Sequence, residues 1–206
     1  MNPTQEPTPR RAWLAQELLR LCAVDSTSGR EDALLPPLRD LLTELGAHLV
    51  EQPVAPGRTN VLALWGTPRV AFSTHLDTVP PFVPPHLNGE RVWGRGACDA
   101  KGQILAQLEA IRRLRAEGRD GLAWLGVVGE ETDSLGASRA LDLRHHFHAC
   151  LALINGEPTD LKLGAGQRAL LHLRLRCEGR AAHSALPDLG VSAAWDAPAH
   201  RLALST

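Results

Sequence analysis

The stretch LAWLGVVGEE, residues 122–131, joins a continuous apolar run to two carboxylates. Apolar residues that follow one another without alternation are typical of a strand covered on both faces. Three other runs share this texture, namely VLALW at 61–65, VAF at 70–72 and CLALI at 150–154. The four runs together predict the strands of a buried sheet.

Segments with helical periodicity separate these runs. Their apolar residues recur three and four positions apart, which predicts amphipathic helices. The helices are predicted at 11–22, 34–45, 104–114 and, with a weaker pattern, 134–143. Ser28 and Glu31 resemble a capping box ahead of the second helix. Strands that alternate with helices favour an α/β fold, with a mixed, largely parallel sheet sandwiched by helices.

The pattern changes near Gly164. From Leu171 to Cys177 apolar residues alternate with histidine and arginine, which is the period of a strand with one solvated face. We therefore expect a domain boundary close to this point. The predicted organisation is a disordered tail at 1–11, a first domain at 12–163 and the start of a small α+β domain at 164–206.

Composition narrows the class of partner and the compartment. The chain has 206 residues, of which 44% are hydrophobic, with a formal net charge of −1 and a pI near 6.8. This charge balance gives no reason to expect nucleic acid or an anionic membrane as a partner, and no apolar run is long enough to span a bilayer. The polar, proline-containing first residues lack the apolar core of a signal peptide, so we expect a cytoplasmic protein.

The loop GRGACDAKG, residues 94–102, invites a phosphate-binding interpretation. A Walker loop ends in Gly-Lys-Ser/Thr, whereas Lys101 is followed by Gly102 and Gln103. A dinucleotide loop requires a third glycine where this chain has Asp99, and a carboxylate there would repel a pyrophosphate. Both phosphate interpretations are weak, and Asp99 needs another explanation.

A histidine and several carboxylates directly follow the predicted strands. His75 and Asp77 follow VAFST, Glu130 and Glu131 follow LAWLGVVG, and Glu157 comes soon after CLALI. Because the carboxyl ends of parallel strands meet at one edge of an open α/β sheet, we expect these side chains to lie close together.

Each of these features has an ordinary structural explanation when taken alone. An H-x-D sequence is often a surface accident, a Glu-Glu pair is often a solvated helix start, and Glu157 could belong to a plain turn. Asp99 could be a helix N-cap. Their coincidence at one sheet edge favours a metal site, because so many carboxylates repel one another unless cations lie between them. Mixed histidine and carboxylate ligands favour zinc, with cobalt or manganese as alternatives.

Five blocks carry a resemblance to a known family. They are, in order, THLDTVP, GRGACDAKG, GEETDSLGA, NGEPT and GRAAHSALPDLGVSA. In this order and spacing they resemble the dinuclear zinc amidohydrolases and peptidases, which include acetylornithine deacetylase, succinyl-diaminopimelate desuccinylase, carboxypeptidase G and the aminoacylases. The resemblance covers nearly the whole chain from about residue 12. It implies a metal-binding catalytic domain at 12–163 and part of a lid and dimerisation domain at 164–206.

The resemblance also implies a role for each matching residue of the metal site. His75 and Glu157 would ligate the first metal ion, Glu131 the second, and Asp99 would bridge both. Asp77 would orient the imidazole of His75 without touching the metal. A cis peptide bond is expected directly after Asp99.

The implied reaction is hydrolysis of the amide bond of an N-acyl amino acid by a metal-bound hydroxide. Glu130 would act as the general base, and His183 would stabilise the oxyanion in the active site of a partner subunit, within a lid-mediated homodimer. A dipeptidase or carboxypeptidase of the same family is an alternative. A serine hydrolase is disfavoured because no G-x-S-x-G motif occurs.

The chain departs from the family pattern after the lid segment. The final histidine ligand of the second metal has no match, since His200 has no metal-motif context. His145, His146 and His148 are interpreted as part of a solvated connection. We therefore expect the N-terminal part of such an enzyme, and an inactive remnant that at most binds metal is a further alternative.

Overall fold

The apolar runs of the sequence become the strands of the first of two structural units. The computed structural model describes residues 9–166 and 176–193. The chain divides between Lys162 and Leu163 into two units, and each is described separately. The strands are β1 (His48–Ala55), β2 (Arg58–Trp65), β3 (Val70–His75), β4 (His86–Asn88), β5 (Arg91–Trp93), β6 (Leu122–Val127) and β7 (Ala152–Asn155).

Five of these strands form one mixed sheet in the order β1-β2-β6-β3-β7. The pairs β1–β2 and β2–β6 are antiparallel, whereas β3 pairs in parallel with both β6 and β7. The strands β4 and β5 form a separate antiparallel hairpin. The predicted mixed α/β sheet is confirmed, with parallel pairing concentrated around β3.

The helices cover both faces of this sheet. They are α1 (Pro9–Cys22), α2 (Leu35–Glu44), α3 (Lys101–Ala116) and α4 (Leu135–Ala140), with 3-10 helices at Glu31–Leu34 and Leu141–Phe147. The second unit, taken by itself, contains a 3-10 helix at Pro187–Leu189. All four predicted helical segments are confirmed, although the last continues as a 3-10 helix. None of the described helices is both long and apolar enough to cross a membrane.

Two hydrophobic clusters show why strands without alternation were the correct interpretation. On β6, Leu122 and Trp124 belong to the cluster formed with α1, α2 and α3, while Ala123 and Leu125 belong to a second cluster with Leu143. Because successive strand residues point to opposite faces, the clusters lie on the two sides of the sheet. Helices therefore pack on both sides of the central strand.

Two strands of the five-stranded sheet differ from expectation, and the hairpin β4–β5 was not predicted. β1 was not predicted, because its residues are mostly half-exposed and Pro53 interrupts any simple strand pattern. β7 was predicted to be covered on both faces, but its four residues are all exposed, and Leu153 retains 61% of its accessible surface. An apolar run records a preference for burial, and does not specify which element supplies the cover.

A cluster of arginines around Glu109 anchors α3 to α1. The largely buried carboxylate of Glu109 accepts hydrogen bonds from Arg112 and Arg113 on its own helix and from Arg10 on α1. The Arg112 guanidinium, with Arg113 and Arg10, holds the pKa of Glu109 well below its usual range. A lowered folded-state pKa contributes stability that is present above the usual glutamate pKa and is lost as the pH falls.

We expect Glu109→Gln to lower the free energy of unfolding by about 1–3 kcal/mol at pH 7, since it removes a charged acceptor shared by three arginines. The deficit should persist at pH 6 and shrink as the pH falls below the ordinary glutamate pKa of 4.5. Urea unfolding at several pH values measures it. Glu90→Gln is the control, because Glu90 forms a pair with Arg11 in which both side chains are more than half exposed, and its loss should stay within about 0.5 kcal/mol. Equal losses in both variants would contradict the prediction.

Candidate metal centre

His75 is the last residue of β3 and lies at the carboxyl edge of the sheet. Its side chain is buried, and its Nδ1 donates to the backbone carbonyl of Asp77 at 3.0 Å, with the Asp77 Oδ1 at 3.5 Å. The Nε2 therefore faces the other way. It lies 2.8 Å from Oδ1 of Asp99 and 3.9 Å from Oε2 of Glu157.

The fully buried carboxylate of Asp77 connects three parts of the site. Beside the His75 ring, its Oδ1 accepts the backbone N–H of Glu130 at 3.0 Å, and its Oδ2 accepts that of Glu131 at 3.1 Å. The Ser28 hydroxyl donates to the same Oδ2 at 2.7 Å. Burial favours the neutral acid, but the hydrogen bonds from His75, Ser28 and Glu131 lower the pKa of Asp77. One carboxylate thus fixes an imidazole and the backbone of the Glu-Glu pair.

The Ser28 contact corrects the prediction of a capping box. The Ser28 side chain is used by Asp77, and Glu31 accepts the backbone N–H of Gly29 at 2.7 Å. The 3-10 helix at Glu31–Leu34 has no side-chain cap. The sequence pattern was compatible with a helix cap, in which the Ser28 oxygen would accept a backbone N–H, but in the structure the Ser28 hydroxyl donates to the buried carboxylate of Asp77.

Asp99 lies in the glycine-rich loop between β5 and α3. The expected cis peptide between Asp99 and Ala100 is present. The alternative of a helix cap is wrong, because the N-cap position of α3 is Ala100 and no side chain caps it. Beneath the loop the buried Lys101 donates from Nζ to the carbonyl of Val24 at 2.7 Å, and burial lowers its pKa to about 8. Asp99 is thereby held at the surface end of a loop with a buried anchor.

Glu157 reaches the same edge through β7. The backbone N–H of Gly156 donates to the carbonyl of Ser73 on β3, and the Thr74 hydroxyl donates to the carbonyl of Gly156, both at 2.8 Å. These bonds continue the parallel β3–β7 ladder beyond the last strand residue and place Glu157 beside His75.

Two groups of three potential metal ligands result from this arrangement. His75, Asp99 and Glu157 form one, and His75, Glu130 and Glu131 form the other, with ligand atoms within 4.8 Å of one another in each. The first matches the set expected for one ion. The second joins Glu131 to His75 and Glu130, whereas the resemblance places Glu131 and Asp99 at the second ion. His145 and His146 stack with ring centroids 4.1 Å apart, but they join no such group among the described residues.

The electrostatics of the cluster fit a cation. Burial, together with the negative charge of Asp99, raises the pKa of Glu131. Burial also raises the pKa of Glu157, where Asp99 adds to the effect and His75 opposes it. Burial disfavours a charged His75, but hydrogen bonds to Asp77 and Asp99 raise its pKa to about 10. The site therefore favours positive charge, and its oxygen and imidazole donors suit zinc or a related divalent ion.

Residues 71–196 match the peptidase family M20/M25/M40. The chain belongs to this family. Its mixed sheet flanked by helices is the M20 fold, and human carnosine dipeptidase 1 superposes with a TM-score of 0.64 at 20% identity, over 72% of this chain and 39% of that one. The family match confirms the suspected family at the level of the superfamily, and the superposition confirms the fold.

Curated relatives of the M20 family are more similar in sequence. A peptidase M20 domain-containing protein of Schizosaccharomyces pombe is 35% identical over 183 residues, covering 84% of this chain and 45% of the relative. A probable carboxypeptidase of Aspergillus clavatus is 36% identical over 195 residues, covering 84% and 42%. The chain therefore spans about half the length of the curated relatives it matches.

His183 belongs to the second unit and is exposed. Its Nδ1 accepts the backbone N–H of Ala185 at 3.1 Å. A neutral imidazole that accepts at Nδ1 carries its proton on Nε2, so the Nε2 of His183 is a hydrogen-bond donor.

Sequence reasoning missed the roles of four residues that shape the candidate site. They are Ser28, Arg58, Asn60 and Lys101, whose side chains bond to segments distant in sequence. Lys101 did stand in a quoted motif, but nothing in the motif indicated that its ammonium is buried.

We expect Asp77→Asn to weaken the binding of a divalent metal ion, with zinc as the probe, by about 10- to 100-fold, because Asp77 orients the candidate ligand His75. The asparagine amide would also direct a donor at the N–H groups of Glu130 or Glu131, which should cost about 1–3 kcal/mol of unfolding free energy without metal. Competition with a chromophoric chelator and urea unfolding measure the two effects. Asp120→Asn, at an exposed pair with Arg115, should leave zinc affinity unchanged. Wild-type zinc affinity in Asp77→Asn would contradict the prediction.

Proposed function

We propose that the chain is the metal-binding part of a metal-dependent hydrolase that cleaves an amide bond in a small substrate. The observation that carries this proposal is the pair of donor groups around His75, backed by the Asp77 carboxylate. Membership of the M20 family supports it.

The ligand assignment follows the resemblance and the observed distances. His75, Asp99 and Glu157 would hold the first ion, Glu131 would hold the second, and Asp99 would be a ligand of both. Zinc is the proposed metal, with cobalt or manganese as alternatives. Divalent ions bound by these side chains would act as Lewis acids that polarise the scissile carbonyl and acidify a water molecule. Asp77 keeps the imidazole of His75 oriented for this purpose.

Glu130 is the proposed general base. Its carboxylate accepts a proton from the attacking water and passes it to the nitrogen of the leaving amine as the C–N bond breaks. The acid that is formed gives up its own proton to the amine, so the products are one carboxylate and one ammonium ion, and the protons balance. Glu130 is suited to this task because its backbone is fixed by Asp77 while its side chain reaches the donor group of His75 and Glu131.

The substrate class that the comparisons favour is a short peptide. A relative at 36% identity is named a probable carboxypeptidase, and a structural neighbour is named a dipeptidase. An N-acyl amino acid, the substrate type of the deacetylases and desuccinylases, is the second candidate, since it contains the same bond. The formal net charge of −1 gives no reason to propose nucleic acid as a substrate.

The second unit has a proposed role in the same reaction. Residues 164–206 would form part of a lid and dimerisation domain that follows the metal-binding domain at 12–163. His183 would donate from Nε2 to the developing oxyanion of a partner subunit, in a cytoplasmic homodimer. The hydrogen bond that leaves the proton on Nε2 supports this use of His183.

The proposal is tested by the metal content and activity of the same preparation. The chain is stripped with chelator, reloaded separately with zinc, cobalt and manganese, and analysed for bound metal. Each preparation is then assayed on dipeptides, a carboxypeptidase peptide and N-acetyl and N-succinyl amino acids. Bound metal with peptide hydrolysis supports the proposal, and turnover of N-acyl substrates alone favours the second candidate. Bound metal without turnover identifies an inactive remnant, and no bound metal refutes the assignment.

We expect Glu130→Gln to abolish hydrolysis, with at least a hundredfold loss of kcat, because an amide cannot take the proton from water. Bound metal should stay at the wild-type level. Glu117→Gln, at the exposed end of α3, is the control and should keep full activity. Loss of metal in Glu130→Gln would make Glu130 a ligand, as its place in the second donor group allows, and full turnover would remove it from the mechanism.

A further inference from the structure

The loop that carries Glu130 and Glu131 is wound around one backbone carbonyl. Gly129 accepts the N–H groups of Thr132, Asp133 and Ser134 at 2.7–3.3 Å. The two ends of the loop are joined by Asn60 on β2, whose Oδ1 accepts the N–H of Val128 at 3.0 Å and whose Nδ2 donates to the carbonyl of Gly136 at 2.8 Å. The turn is therefore held together by its own hydrogen bonds and by Asn60. Its orientation relative to the rest of the site depends on contacts with other segments.

Arg58, the first residue of β2, binds this turn through its side chain. Its Nη1 and Nη2 donate to the two carboxylate oxygens of Asp133 at 2.9 and 3.1 Å. Its Nε donates to Oε1 of Glu31 at 3.1 Å. The Arg58 side chain is 12% exposed, and that of Glu31 is fully buried. A guanidinium bound in this way fixes both position and plane, because its donors form a rigid fork.

The far side of Arg58 reaches the segment that supports Asp77. Glu31 also accepts the backbone N–H of Gly29, directly after Ser28, which donates to Asp77. Burial raises the pKa of Glu31, while Arg58 acts in the opposite direction. Arg58 therefore joins the two chain segments that meet at the Asp77 carboxylate.

Gly129 makes room for this contact. It has a φ of +75°, and a Cβ at this position would collide with Nη2 of Arg58 and with Oδ1 of Asp133. The absence of a side chain lets the guanidinium pack directly against the backbone of the turn. A glycine at this point in GEETDSLGA thus serves the approach of Arg58 as well as the left-handed backbone.

We propose that Arg58 is a positioning residue that sets the carboxylates of Glu130 and Glu131 relative to His75. It acts through Asp133, which receives two hydrogen bonds from Arg58. Asp77 holds the same turn at the backbone N–H groups of Glu130 and Glu131. The consequence for metal binding rests on the proposed function, whereas the mechanical role does not. Arg58 belongs to neither of the two donor groups around His75.

The test compares Arg58→Met, Arg58→Lys and Asp133→Asn with a matched control. Arg39→Met is that control, since Arg39 forms a two-pronged ion pair with Glu51 on the surface, away from the site. Amide hydrogen exchange of peptides covering 128–136 is measured in metal-free protein. Zinc affinity is measured by chelator competition on the same variants.

We expect faster exchange confined to 128–136 and about tenfold weaker zinc binding in Arg58→Met, with neither change in Arg39→Met. Arg58→Lys should recover little of either, because lysine restores the charge but not the fork. A lower melting temperature with unaltered local exchange and zinc affinity would overturn the proposal, and so would full recovery in Arg58→Lys.

Asp133→Asn decides the matter if Arg58→Met fails to fold. The Asp133 side chain is about half exposed, and the largely buried Arg58 keeps its ion pair with Glu31, so this change leaves no unpaired buried charge behind. The same local increase in exchange is expected, and its absence would overturn the proposal. If the wild-type chain binds no zinc, the proposed function fails, while the exchange comparison still decides the role of Arg58.

Discussion

The rest of the site depends on the hydrogen bonds that the carboxylate of Asp77 accepts. This carboxylate is buried in the first unit, yet it stays charged because an imidazole, a hydroxyl and two backbone N–H groups point at it. Removing a charge of this kind from water is expensive unless its hydrogen bonds are satisfied. Asp77 therefore requires that the ends of β3 and β6 and the segment before α2 come together, and their meeting creates the cluster around His75.

Sequence patterns were sufficient to predict the strands and helices, because these elements show a regular spacing of apolar residues along the chain. Buried strands show continuous apolar runs, as in LAWLGVV, and α3 shows its period from Ile104 to Leu114. The donors His75 and Glu131 could be assigned to one edge, since topology places the ends of parallel strands together. The family motifs then supplied individual roles, and the cis peptide after Asp99 was predicted on that basis.

Other features of the site have no local signal. Arg58 and Asp133 are 75 positions apart, and Lys101 and Val24 are 77 apart, so neither pair leaves a periodic trace. Ser28 followed a pattern that also occurs at helix starts, and tertiary structure gave its hydroxyl to Asp77. The exposed β7 shows that the same holds for apolar residues, because a hydrophobic run does not specify which element packs against it. Contacts of this kind are decided by the three-dimensional arrangement of the whole unit.

The position of Glu157 links the stability of the edge strand β7 to ligand binding at the site. The attachment of β7 to the sheet consists of a short parallel ladder to β3, and its exposed side chains add little burial to that attachment. A ligand that bridged Glu157 and His75 would tie the end of β7 to the end of β3 across the ladder. Binding free energy would then appear as protection of the sheet edge against fraying. The edge strand β7 would then be the strand whose stability depends most on the concentration of that bridging ion.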